Sequence, residues 1–143
     1  MRVRRGSASY WRRQADGHPH DVLSGWCNGS AGHVFTWTAA HAAFGEERWL
    51  RLAEETARHT AEEPMYTADL CCGSAGRAYA LLNLYKHTGS GEWLSHARRL
   101  ANHAASVREE AQRPNSLWKG ELGVAVLIAD LESPENAQMP FFE

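Results

Sequence analysis

The hydrophobic positions fall into two kinds of helical segment that alternate along the chain. In the first kind apolar residues run round the helix: Val34, Phe35, Trp37, Ala39, Ala40 and Ala43 after Gly32, and Ala78, Tyr79, Leu81, Leu82, Leu84 and Tyr85 after Gly76. A helix apolar on most faces is buried on most sides. In the second kind a stripe recurs at i, i+3, i+4: Trp49, Leu52, Ala53, Thr56 and Ala57, then Trp93, Leu94, Ala97, Leu100, Ala101 and Ala104. The other faces carry Glu54, Glu55 and Arg58, or Arg98, Arg99 and Asn102, so one stripe is buried and one face is wet. The pattern predicts inner helices over roughly 30–44, 74–88 and 121–132, and outer helices over roughly 46–63 and 91–112. Gly45 and Gly89 supply C-terminal stops for inner helices, and Pro64 and Pro114 end the outer ones.

This alternation is a repeat. Residues 27–59 laid without gaps on 71–103 match at 11 of 33 positions, among them Cys27/Cys71, Gly29/Gly73, Gly32/Gly76, Trp49/Trp93 and His59/His103. A third, partial copy begins at Gly120-Glu121-Leu122-Gly123 and has an inner helix, Val124 to Leu131, with no outer partner. Periods of about 40–47 residues are typical of stacked helix pairs, which curve into a solenoid or close into a ring. The expected fold is therefore all-α, a partial α/α toroid of two and a half units of about 44 residues. One lateral face, before Cys27, is expected to be open and apolar, as in a piece of a larger domain or a protein completed by a second chain. Residues 1–25 contain Gly6, Gly17 and Pro19, hold no sustained period, and are expected to be irregular.

Composition narrows the function. A formal net charge of −2 argues against general nucleic-acid binding, and Arg2, Arg4, Arg5, Arg12 and Arg13 are expected to form a solvated start. No apolar run resembles a secretory signal or a membrane span. Three cysteines, two of them adjacent, do not suggest a disulfide framework and fit a reducing compartment, the cytoplasm. Cys27 and Cys71 occupy equivalent positions before equivalent helices, and Cys72 adjoins the second. Equivalent ends of inner helices lie side by side at one rim, so the three sulfurs are expected to converge on one metal ion. Three thiolates suit tetrahedral Zn2+ and leave a fourth position for water or substrate, as in catalytic rather than structural sites.

At these residues the chain resembles the C-terminal part of the lanthionine synthetase C-like cyclases. The resemblance is carried by Trp26-Cys27-Asn28-Gly29, by Leu70-Cys71-Cys72-Gly73-Ser74-Ala75-Gly76, by Ser116-Leu117-Trp118-Lys119-Gly120-Glu121-Leu122-Gly123, and by Met139-Pro140-Phe141-Phe142-Glu143. It covers residues 26–143 and implies an α/α toroid around a central zinc. Cys27 would be the first ligand, Cys71 the second, and Cys72 the third, in a place that histidine often fills. The all-cysteine set is similar to that of some bifunctional lanthipeptide synthetases. The implied chemistry is activation of a peptide cysteine as a zinc-bound thiolate, which adds to dehydroalanine or dehydrobutyrine and closes a thioether ring. The implied partners are a dehydrated precursor peptide and the upstream part of the cyclase or a second chain. The family's acid/base histidine and its aspartate lie upstream of the first ligand, and His18, His20 and Asp21 stand too close to Cys27 for that role.

Two other readings compete. One is a zinc- and thiol-binding module without catalysis, taking glutathione or a peptide cysteine. The other is a glycosidase toroid, which needs a carboxylate pair; Asp69 and Glu121 are the rim carboxylates available. Among single residues, Trp26 matches a family tryptophan that lines the site, and Lys119 aligns with Cys72 and Asn28 and so approaches the metal rim. His33 and Arg77 are better satisfied polar positions than substrate contacts. His59 and His103 suit helix-end packing, Trp49 and Trp93 suit core anchors, and His41, His87 and His96 have no convergent partners.

Overall fold

The computed structural model describes residues 2–12, 22–107 and 115–143. Among the described residues the expected inner helices are α1 (Ser30–Phe44), α3 (Ser74–Thr88) and α5 (Glu121–Asp130), and the outer ones α2 (Glu47–Glu62) and α4 (Gly91–Ser106). Gly45 and Gly89 end α1 and α3 at φ 68° and 67°, donating their N–H groups to the His41 and Tyr85 carbonyls. That left-handed conformation favours glycine. α2 stops before Pro64, whose ring disfavours helix at the preceding residue. α4 closes at Ser106 rather than 112; Pro114, Arg13, His18, His20 and Asp21 lie outside the described residues.

α1, α3 and α5 lie side by side, with α2 packed on α1 and α4 on α3. α3 is the middle of the bundle, and every residue from Ser74 to Leu84 is buried. This is why its sequence is apolar all round. Tyr79, Leu81, Leu82 and Leu84 each contribute roughly 1.5–3 kcal/mol by leaving water. α5 is equally apolar but buries only Gly123 and Leu127, leaving Leu122 and Ile128 exposed. Among the described residues no outer helix follows it, and it packs on α4 and α3.

The start of the chain corrects the irregular reading of residues 1–25. β1 (Arg2–Arg5) and β2 (Ala8–Trp11) form an antiparallel hairpin, closed at Gly6 with φ 59°. Four-residue strands are too short to display a period, and tertiary contacts on α2 settle them. Nor are the arginines merely solvated. Arg2 and Arg4 pair with Glu55, whose Oε2 also accepts a hydrogen bond from Ser9 Oγ at 2.6 Å. The α1 face expected to be open is partly covered: Trp11 packs on His33 and Trp37. Trp49 stacks parallel to Trp37 under the Arg48 guanidinium and is only partly buried, whereas Trp93 is a full core anchor.

Candidate metal centre

Each inner helix is entered through the same turn: Trp26-Cys27-Asn28, Leu70-Cys71-Cys72 and Leu117-Trp118-Lys119, each followed by an extended glycine. Backbone hydrogen bonds link each turn to the next. Cys27 N–H donates to the Cys71 carbonyl at 3.2 Å, and Cys71 N–H donates to the Trp118 carbonyl at 3.1 Å. The helix must come in very close behind the turn. A Cβ at Gly76 would overlap the Leu70 carbonyl oxygen, as one at Gly123 would overlap that of Leu117. Glycine is needed there for backbone approach rather than for its φ. The two cysteine turns also press together, since a Cβ at Gly25 would stand 2.8 Å from Cys72 Cα. Asp69 Oδ1 accepts both the Cys71 and Cys72 N–H groups at 2.9 Å, and Ser116 Oγ accepts the Lys119 N–H at 3.1 Å.

This scaffold brings the three sulfurs together. Cys27 and Cys72 Sγ are 3.5 Å apart, Cys72 and Cys71 Sγ 3.7 Å, and all three lie within 4.8 Å of one another. Sulfurs bound tetrahedrally to zinc at about 2.3 Å stand about 3.8 Å apart, so the donor set fits that ion. Cys27 and Cys72 are exposed, and all three are free. Lys119 Nζ reaches Cys72 Sγ at 3.1 Å and Asp69 Oδ1 at 3.7 Å. The thiols are not equivalent. Burial, then hydrogen bonds to Cys71 and Cys72, pushes Cys27 up to about 12. Burial also works to raise Cys72, but hydrogen bonds from Lys119 and the other two cysteines, with the Lys119 charge, bring it below its ordinary value. The hydrogen bond to Cys72 in turn raises Lys119, so the ammonium keeps its proton. Of the three thiols Cys72 is thus the one whose ionised form is favoured, beside the Lys119 ammonium.

An aromatic cluster forms at the turns that carry the cysteines. Trp26 N–H donates to the Cys71 carbonyl at 3.0 Å. Its ring stacks on Trp118 with centroids 4.9 Å apart, and Phe142 meets it edge-on at 5.2 Å.

The family model for lanthionine synthetase C-like protein matches residues 3–143. The chain belongs to this family. The match begins upstream of Trp26 and takes in the hairpin. Among curated proteins none matches the sequence.

In this lanthionine synthetase C-like chain the remaining candidates divide clearly. Lys119 reaches Cys72, and Trp26 is held by its backbone N–H on the Cys71 carbonyl and by its ring on Trp118. Arg77 serves elsewhere: it is buried and caps the end of α2, donating to the carbonyls of Thr60, Glu63 and Pro64. His33 packs on Trp11 with Nδ1 unpartnered, and burial lowers its pKa. His59 Nδ1 meets Ser30 Oγ at 3.1 Å, and His103 Nδ1 meets Ser74 Oγ at 2.8 Å. The repeated histidines therefore tie the last turn of each outer helix to the first residue of its inner helix. His59 also lies 3.4 Å from Glu63, but burial and the Arg77 charge hold it down to about 4, so this is a neutral contact and not an ion pair. Asp69 shapes the cysteine turn, which its position two residues before Cys71 signals as an Asx turn.

Proposed function

We propose that Cys27, Cys71 and Cys72 hold one zinc ion, and that the chain supplies the thiol-activating part of a lanthionine cyclase. The observation that carries this reading is the meeting of three sulfurs, two of them exposed, at tetrahedral separations. Zinc, when bound, supplies a Lewis acid that keeps a substrate thiol deprotonated at neutral pH. The reaction forms a bond from the sulfur of a peptide cysteine to Cβ of dehydroalanine or dehydrobutyrine. The alkene electrons move to Cα, which takes up a proton, and the thiol proton leaves, so no oxidant is needed. The substrate is a dehydrated precursor peptide, and the free thiols suit the reducing cytoplasm.

The chain's own groups have separate tasks. The cysteines fix three corners and leave one side open. Lys119 offsets the negative charge of a thiolate-rich centre. Its ammonium lies 3.1 Å from Cys72 Sγ, which makes it a charge partner of that sulfur. Trp26 and Trp118 stack on one another in the turns that carry Cys27 and Lys119 and offer an apolar surface there.

A second reading has an observation of its own. Among the described residues no histidine faces the sulfurs, and Asp69 Oδ1 is committed to two backbone N–H groups. A thiol-binding module that captures a peptide cysteine without closing the ring fits that arrangement. The two are separated by incubating zinc-loaded protein with a dehydrated cysteine peptide, then alkylating free thiols and weighing the product. A peptide protected from alkylation supports the cyclase. A fully alkylated peptide that nevertheless binds the protein supports the module. A peptide that neither binds nor cyclises contradicts both.

A further inference from the structure

Residues 139–143 bring Phe142 onto Trp26, the residue before Cys27, in a conformation that needs an explanation. Phe141 has φ 59°, and among the described residues it is the non-glycine residue with a positive φ. A bulky side chain there is strained. Its own packing does not compensate, because the ring is 92% exposed. The neighbours on either side impose the bend. Met139 is fully buried. Glu143 Oε1 accepts from Asn83 Nδ2 at 2.7 Å and Lys86 Nζ at 2.9 Å, and Oε2 accepts from Met139 N–H at 2.9 Å. Asn83 is itself fixed by Thr38, which donates to its Oδ1 at 2.7 Å. With both ends clamped, the strained residue between them turns Phe142 onto Trp26 and Phe35, edge-on to each. Phe142 remains 50% exposed. Strain held in place by its surroundings is a mark of positioning, and what is positioned here is a half-open aromatic ring packed on Trp26, next in the chain to Cys27.

We propose that Phe142, aimed by the Glu143 clamp, forms with Trp26 an apolar subsite for the residue next to the reacting thiol. Phe142 then determines specificity, and the preferred substrates are cysteine peptides with an aromatic or large aliphatic neighbour. The inference rests on the thiol-binding reading above. Edge-to-face contact and burial of one such side chain give about a tenfold preference over a peptide lacking it.

The test uses the whole chain loaded with cobalt(II), whose sulfur charge-transfer bands report thiol binding. N-acetylcysteine amide and N-acetyl-Cys-Phe amide are titrated against it. The wild type is expected to bind the Phe-containing thiol about tenfold more tightly. F142A brings the ratio close to one, F142L retains part of it, and E143A, which frees the segment, also loses it. An F142A ratio equal to that of wild type overturns the inference while leaving the metal reading intact. An E143A protein that keeps the full ratio overturns the clamp. Absence of the bands overturns the metal reading and this inference together, and bands that respond to neither thiol overturn the thiol-binding reading and this inference with it.

Discussion

The turn at Cys71-Cys72 and the turn at Trp118-Lys119 share a backbone and differ in chemistry. Both open an inner helix, both sit against a glycine that cannot carry a Cβ, and both have a side-chain oxygen accepting an N–H group from the turn. The first turn presents two sulfurs. The second presents an indole that stacks on Trp26 and an ammonium that reaches Cys72. The fold therefore resides in glycines and backbone hydrogen bonds, and the chemistry in two replaceable side chains per turn. The turns differ also in surroundings, since α3 is enclosed and α5 lies at an edge.

If this division is right, glycine substitutions at equivalent positions have the largest effects and unequal ones. G76A forces a Cβ into the Leu70 carbonyl in the middle of the bundle and should destabilise by about 4 kcal/mol or more. G123A makes the same overlap at the edge and should cost roughly 2–3 kcal/mol, with α5 loosening first. Urea melts of the two variants check the order; equal losses would mean that enclosure of α3 is irrelevant.

The turn-forming oxygens come next. D69A removes a carboxylate that accepts two N–H groups and should cost about 2–3 kcal/mol, whereas S116A removes one hydroxyl contact and should cost about 0.5–1 kcal/mol. The same melts, read at neutral pH, distinguish them.

Acid tests the entry to the first helix pair, where His59 holds Ser30. Burial and then the Arg77 charge hold folded His59 down to about 4, below its ordinary 6.5. The unfolded chain takes up this proton near pH 6.5 and the folded chain only near pH 4. Stability from His59 is thus complete above about pH 6.5 and is lost as pH falls from there to about 4, by roughly 3–3.5 kcal/mol. A stability–pH curve of wild type against H59Q checks this, the variant being expected to lack that slope.

Lys119 should matter least to folding and most to chemistry. It is 45% exposed, so K119M should change stability by less than about 0.5 kcal/mol. Loss of the cation beside Cys72 should weaken metal binding by about tenfold, measured by competition with a chelator.

Much of this was legible in the sequence. The repeat placed the helices within a few residues, because buried inner and striped outer helices leave different periodicities over 15 or 16 residues. The in-register cysteines announced their own convergence, since a repeat that stacks must bring equivalent positions together. The hairpin was hidden, because its short strands are held by α2 and by Glu55 rather than by their own pattern. Arg77 and His33 share one repeat position yet do different work, which depends on what each helix meets. Asp69 and Glu143 gain their roles only once the fold has aimed backbone N–H groups and distant side chains at them.

X-ray absorption at the zinc edge on purified protein tests the central claim most directly. The account predicts one zinc per chain, with three sulfurs at about 2.3 Å and one lighter, exchangeable neighbour. It also predicts loss of that signal in C27A. A folded wild-type chain that takes up no zinc, or one whose zinc survives unaltered in C27A, would contradict it.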